Sequence, residues 1–247
     1  WWSDLGSTDL DSLIAEALAS NRDLDAAVAS VEAARANATI AGADRWPQVN
    51  GSLQGSRAKQ IFVGLPIGSG VLSSLTNSFG LSAQASWELD LWNRLGLRER
   101  AAVAELQATE ADLAAARLSL SGQVARTWVS LTELERQQAL AARTLEAFRQ
   151  TLEIAEDRYE RGLIGPVDVH LTRAQTENTA ALLALRENQR QRTARQLEVL
   201  LGRYPSGRLR GAPEFPGTTP SVPAGLPADL VLRRPDLVAA ERRLVAN

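Results

Sequence analysis

The sequence predicts a mainly α-helical protein interrupted by one β-hairpin, with helices long enough to run as an antiparallel coiled coil and strands long enough to cross a membrane. Three observations carry this reading. From Asn93 to about Arg161 there is no proline, and the only glycines are Gly96 and Gly122. The hydrophobic period changes from helical to two across residues 48–57 and again across 78–90. The two ends of the chain also match each other at an offset of about 213 residues, the mark of an internal repeat.

Residues 1–45 read as helical. Leu10, Leu13, Ile14, Ala17 and Leu18, then Leu24, Ala27, Val28 and Val31, recur at helical spacing, with a break expected near Asn21. Trp46-Pro47 ends the segment, because proline disfavours the helical region for the residue before it.

Residues 46–92 read as a β-hairpin with a long external loop. In the first run the even positions are Gln48, Asn50, Ser52, Gln54 and Ser56, and the odd ones are Val49, Gly51, Leu53 and Gly55. In the second, Phe79, Leu81, Ala83, Ala85, Trp87 and Leu89 alternate with Ser78, Gly80, Ser82, Gln84, Ser86, Glu88 and Asp90. Each run matches the roughly 9–11 tilted residues of a membrane-spanning strand. Alternation alone fits an ordinary hairpin with one face on a core equally well. Two details favour the membrane: the long connection across 58–77, and the absence of neighbouring strands to complete a sheet. Odd-outward parity keeps the polar set out of hydrocarbon. It makes Val49, Leu53, Phe79, Leu81, Ala83 and Ala85 lipid-facing and Gln48, Asn50, Ser52, Gln54, Ser82, Gln84, Ser86 and Glu88 lumen-facing. Trp46 and Trp87, where the strands meet the helices, suit an interfacial girdle.

Residues 93–203 read as a long helical hairpin. At about 1.5 Å per residue its first arm would be on the order of 100 Å long. A 3-4 spacing through Leu120, Val124, Thr127, Leu131, Leu134, Gln138, Ala141, Leu145, Phe148, Leu152, Ala155 and Tyr159 is a coiled-coil seam. Arg161-Gly162-Leu163-Ile164-Gly165-Pro166 is a tight turn between antiparallel helices. The return arm runs to about Leu201 and stops at Gly202, and the Pro- and Gly-rich residues 204–225 form a linker. Residues 226–247 open a second, truncated repeat. Leu13-Ile14-Ala15-Glu16 matches Leu226-Pro227-Ala228-Asp229, and Asp23-Leu24-Asp25-Ala26-Ala27 matches Asp236-Leu237-Val238-Ala239-Ala240.

Composition narrows the chemistry. With 45% apolar and 23% charged residues the chain lies in the range of folded proteins, and a net charge of -2 without basic clusters offers nothing to nucleic acid. No cysteine and a single His170 leave little for metal ligation, a triad or a thiol nucleophile, so neither an enzyme nor a cofactor is expected. Methionine is absent too, so a start codon and a removed signal or lipid-attachment segment are expected upstream of Trp1. No apolar run reaches the roughly 18 residues of a transmembrane helix, and a membrane crossing would require a barrel.

Three segments carry a family resemblance. Ser86-Trp87-Glu88-Leu89-Asp90-Leu91-Trp92, Tyr159-Glu160-Arg161-Gly162-Leu163-Ile164, and the stretch from Gly225 to Leu244 together resemble the outer-membrane efflux proteins that include TolC, in particular their lipoprotein branch serving drug, solvent and metal pumps. The resemblance implies a homotrimer whose protomers share one transmembrane β-barrel, continued by an α-helical barrel across the periplasm. It also implies a periplasmic adaptor and an inner-membrane pump as partners, outer-membrane lipid around the strands, and a passive export duct located in the bacterial outer membrane. Members of the branch often begin with a lipidated cysteine, which this chain lacks.

The turn Gly162-Leu163-Ile164-Gly165 is the expected adaptor contact, because its apolar pair lies between glycines at a narrow tip; stapling of the two helices is the plainer explanation. His170 reads as a solvated helix residue rather than a pH sensor. Asp157, Glu160 and Asp168 read as a solvated face rather than a selective charged ring, and Glu88 with Asp90 is not an acid/base pair. The competing reading is a periplasmic adaptor or other coiled-coil scaffold without a barrel. It would place β-rich domains on either side of the helical hairpin.

Overall fold

The computed structural model describes residues 1–62, 72–212, 215 and 233–247. After a single 3-10 turn at Ser3–Leu5, the elements are α1 (Thr8–Ser20), α2 (Arg22–Ala43), β1 (Gln48–Phe62), β2 (Leu72–Ser86), α3 (Arg94–Glu160), α4 (Pro166–Leu200) and α5 (Pro235–Ala246). They fall into two compact units, one of residues 1–31 and 108–241, the other of 32–107 and 242–247.

The first unit holds the main core. Leu10, Leu13, Ile14 and Ala17 of α1 meet Leu24 at the start of α2, Leu120, Val124, Ala125, Trp128 and Leu131 of α3, and Ala194 and Leu197 of α4 with the following Leu201. Trp128 is 1% exposed at the centre, a kind of site where truncation to alanine costs on the order of 3–5 kcal/mol. The expected seam buries Leu120, Val124, Thr127, Leu131, Ala141 and Leu145, leaves Leu134 and Gln138 half-buried between them, then thins to half-buried Phe148, Leu152 and Ala155 and exposed Tyr159. On α4 the facing residues Val169, Thr176, Arg190 and Leu197 keep a seven-residue register, the period of antiparallel helices packed along their length.

Polar side chains fasten the ends of these helices. Asn21 stands at the break between α1 and α2. Its Oδ1 accepts from the N–H groups of Asp23 and Leu24 at 2.9 and 3.1 Å, capping α2, while its Nδ2 donates to the carbonyl of Leu200 at 2.9 Å. Gly202 ends α4 in the left-handed conformation, and a side chain there would meet the Ser20 carbonyl at 2.2 Å. Glu198, 3% exposed, gathers the chain beyond that point: its carboxylate accepts from Ser206 Oγ at 2.9 Å and from the N–H groups of Gly207, Arg208 and Leu209 at 2.7, 3.0 and 3.1 Å. Thr132 and Glu135 of α3 accept from the N–H groups of Ala212 and Gly211. Residues 204–212, expected as part of a loose linker, are thus tied to α3 and α4; the rest of that linker, apart from Phe215, and the start of the second repeat at 226–232 lie outside the described residues. The α5 helix begins at Pro235, the position that the repeat offset of about 213 residues pairs with Arg22, the first residue of α2.

In the second unit, β1 and β2 form a two-stranded antiparallel sheet. Both strands differ in extent from the sequence expectation. Residues 58–62 and 72–77 belong to strands rather than to a loop, because the backbone ladder continues after the apolar alternation fades into Ala58, Lys59 and Gln60 opposite Thr76, Leu75 and Ser74. The remaining connection, 63–71, lies outside the described residues. At the other end β2 stops at Ser86, so Glu88 and Asp90 stand beyond the strand although the alternating pattern runs through them.

Candidate functional site, the strand hairpin and the helical tip

The hairpin pairs one to one from Gln48 with Ser86 to Phe62 with Leu72. In an antiparallel pair, residues directly opposite share a face. One face therefore carries Val49 opposite Ala85, Gly51 opposite Ala83, Leu53 opposite Leu81 and Gly55 opposite Phe79. The other carries Gln48, Asn50, Ser52 and Gln54 opposite Ser86, Gln84, Ser82 and Gly80, with the hydroxyls of Ser52 and Ser82 hydrogen-bonded at 2.8 Å. The register thus brings the two sets read from each strand separately onto two common faces. Every side chain described in 48–61 and 73–86 is exposed, with Phe79 and Leu81 at 85 and 84%.

At the base of the hairpin Trp87 donates from Nε1 to the Arg45 carbonyl at 3.1 Å, and Gln48 donates from Nε2 to the Ala43 carbonyl at 3.1 Å. Trp46 is exposed beside them. Arg45 pairs with Glu99 and Arg98 with Asp44, so both connections to the helices are tied. Glu88 accepts from Arg94 at 2.7 and 2.8 Å. The Asp90 carboxylate accepts from the Gly96 N–H at 2.8 Å at the start of α3. Desolvation pushes its pKa up, but hydrogen bonds from the N–H groups of Gly96, Leu95 and Arg94 and the Arg94 charge outweigh that and hold it below the ordinary value. These two acids cap a helix and hold a junction. Asp90 lies four residues before Arg94, the first of α3, so the usual N-cap signal, which falls on Asn93, did not point to it.

At the helical tip the chain leaves α3 through a left-handed Gly162, whose N–H donates to the Tyr159 carbonyl at 2.9 Å while the Leu163 N–H reaches back to the Arg158 carbonyl at 2.9 Å. Gly165 is extended and Pro166 opens α4. Leu163 is 69% exposed, whereas Ile164 is half-buried. The apolar surface continues where the sequence reading stopped: Val167 and Leu171 follow Leu163 at four-residue spacing and are also exposed. Val167 and Leu171 lie within α4, where that spacing puts them on one face. Asp157 pairs with Arg161 and Glu156 with Arg173, and His170 is exposed.

A family profile described as "Outer membrane efflux protein" matches residues 13–203. The chain is similar to the pyoverdine export outer membrane protein OpmQ of Pseudomonas aeruginosa, at 34% identity over 100% of the chain and 52% of the relative. It is also similar to the cation efflux system protein CusC of Escherichia coli (strain K12), at 30% over 100% and 52%. Among solved structures it resembles the outer-membrane channel OprN with a TM-score of 0.82 and 29% identity, covering 100% of this chain and 55% of that one. It resembles CusC at 0.77 and 30%, covering 96% and 54%. The chain spans about half the length of the curated relatives it matches. OpmQ is described as an outer membrane protein and OprN as an outer-membrane channel, which favours the channel reading over the coiled-coil scaffold. The profile covers well over half of the residues, and the mainly helical architecture with one two-stranded sheet matches the solved channels: the chain belongs to the outer membrane efflux protein family.

Proposed function

We propose that the protein is the outer-membrane channel of an efflux system, a passive duct from the periplasm to the exterior that works as a homotrimer. The hairpin is the observation that carries this. A ribbon of two strands with no core on either face is marginal in water, and its outer edges present unpaired backbone groups. Closure with further strands into a barrel would satisfy those edges, as hydrocarbon requires. Val49, Leu53, Phe79, Leu81, Ala83 and Ala85 then face lipid. Gln48, Asn50, Ser52, Gln54, Ser82, Gln84 and Ser86 line an aqueous lumen, Glu88 lies at its inner rim, and Trp46 and Trp87 sit at the inner interface.

On this reading the helices lie on the periplasmic side, where the tip meets an adaptor that joins the duct to an inner-membrane pump. A passive channel supplies no energy, so the pump must. The exposed apolar line of Leu163, Val167 and Leu171 supports the contact, since such groups rimmed by charge mark interfaces. The similar proteins are named for cargoes as unlike as pyoverdine and cations. That diversity favours a duct that passes what its pump delivers.

The test compares Leu81→Arg with its neighbour Ser82→Arg in the full-length protein. An arginine on the lipid face near mid-bilayer costs about 2–4 kcal/mol, whereas the lumen face tolerates it. Trimer recovered from membranes should fall sharply for Leu81→Arg and little for Ser82→Arg. Equal recovery of the two would overturn the assignment of the faces.

A further inference from the structure

From Trp46 to Trp87 the sequence contains no aspartate or glutamate, and its only charged residues are Arg57 and Lys59. The register places both on the odd face, Arg57 opposite Asn77 and Lys59 opposite Leu75, on the same side as Val49, Leu53, Phe79 and Leu81. Both side chains are exposed. Two cations on a face otherwise suited to hydrocarbon, with no acid on either strand or in their connection to pair with them, need an anionic partner from outside the hairpin.

Their height along the strand identifies which one. Arg57 lies eight residues beyond Val49 and Lys59 ten beyond it, about 26 and 33 Å along a strand at roughly 3.3 Å per residue. With strands tilted by about 40°, these become roughly 20 and 25 Å along the membrane normal, against an apolar band about 25 Å tall. The pair therefore stands at the rim of the band opposite the tryptophans. Their long stems can lie on the apolar surface while the charges reach the headgroups.

We propose that Arg57 and Lys59 form a binding site for the headgroup phosphates of the anionic glycolipid in the outer leaflet. This rests on the membrane reading of the hairpin. Arg57 can meet a phosphate with two parallel N–H donors, and Lys59 adds a compact charge beside it. Asn77, opposite Arg57, supplies a neutral amide at the same level.

The test reconstitutes the full-length protein into phosphatidylcholine vesicles containing either bis-phosphorylated lipid A or its dephosphorylated form, re-extracts it, and measures the retained glycolipid by mass spectrometry. The parent should retain the phosphorylated lipid at least about tenfold better than Arg57→Gln/Lys59→Gln, and better than the dephosphorylated lipid by a similar factor. The charge-conserving Arg57→Lys/Lys59→Arg variant should retain it as the parent does. Equal retention by the glutamine variant, or indifference to the phosphates, would overturn the proposal. A polarity-sensitive fluorophore on Leu81→Cys separates the two ways of failing. A probe in hydrocarbon together with equal retention defeats the lipid site alone, and a probe in water defeats the membrane reading and the lipid site together.

Discussion

Glu198 shows how one side chain can decide where a helical hairpin stops. Burial opposes its ionisation, yet hydrogen bonds from the Gly207 N–H, the Ser206 hydroxyl and the Leu209 and Arg208 N–H groups outweigh that cost and hold its pKa below the ordinary 4.5. A carboxyl whose folded pKa lies below its unfolded one stabilises the fold above the unfolded value, and the contribution is lost as pH falls through the folded value. The Glu198 contribution should therefore be level above about pH 4.5 and decline below it. Glu198→Gln keeps the shape but turns one acceptor into a donor facing N–H groups, so it should lose about 1–3 kcal/mol at pH 7 and flatten the acid decline. Urea unfolding midpoints at pH 7 and pH 4 check both. An unchanged acid slope in the variant would show that other carboxyls set it. None of this was legible in the sequence, because the donors sit in residues 206–209, whose Ser, Gly and Arg read as linker.

At the scale of elements, the strands and helices were legible where pattern and backbone agree, and illegible where one outran the other. The parity of residues 48–55 and 79–85 is periodic, and the ladder obeys it. From Ala58 to Gln60 the pattern lapses while the ladder persists, so the strands are longer than they read. From Trp87 to Asp90 the pattern persists while the ladder stops, because the Trp87 indole is bound to the Arg45 carbonyl and Asp90 to the start of α3. The tip divides likewise: its glycines and proline announced the turn, but the sequence assigned Ile164 to the exposed surface, and it is half-buried instead. Gly162→Val would place a β-branched residue in a left-handed conformation and should destabilise the turn by about 1–3 kcal/mol. Leu163→Asp changes only an exposed surface, so trimer yield should stay normal while adaptor cross-linking and export fall. Normal export with Leu163→Asp would remove the tip from the contact, and loss of the trimer would make it structural.

For the whole molecule, stability is unevenly spread. The first unit has the Trp128-centred core, whereas the described residues of the hairpin bury no side chain. Amides of residues 48–62 and 72–86 that point away from the partner strand should then exchange with solvent quickly in this 247-residue chain alone, and slowly in an assembled full-length channel where further strands cover them. Hydrogen exchange on the two preparations checks this. Equal protection in both would mean that no strand joins the hairpin. Amides around Val124, Trp128 and Leu131 should be protected in each. The helical core and the two-faced hairpin were legible because both follow from periodicity within one chain.

The unbroken pairing from Gln48 with Ser86 to Phe62 with Leu72 also limits how such a hairpin can evolve. With a side-chain period of two, inserting or deleting one residue inside either strand turns every residue beyond it over, sending Gln54 or Gln84 to the face of Leu53 and Phe79. A bulge could absorb the extra residue, but none is present to start from. Length can change freely only in the connection between the strands, or by two residues at a time in both strands at once. The genetic freedom of this segment is therefore quantised: substitutions that respect parity pass one by one, while a single-codon insertion or deletion between Gln48 and Gly55 exchanges the two faces beyond it unless a new bulge takes up the change.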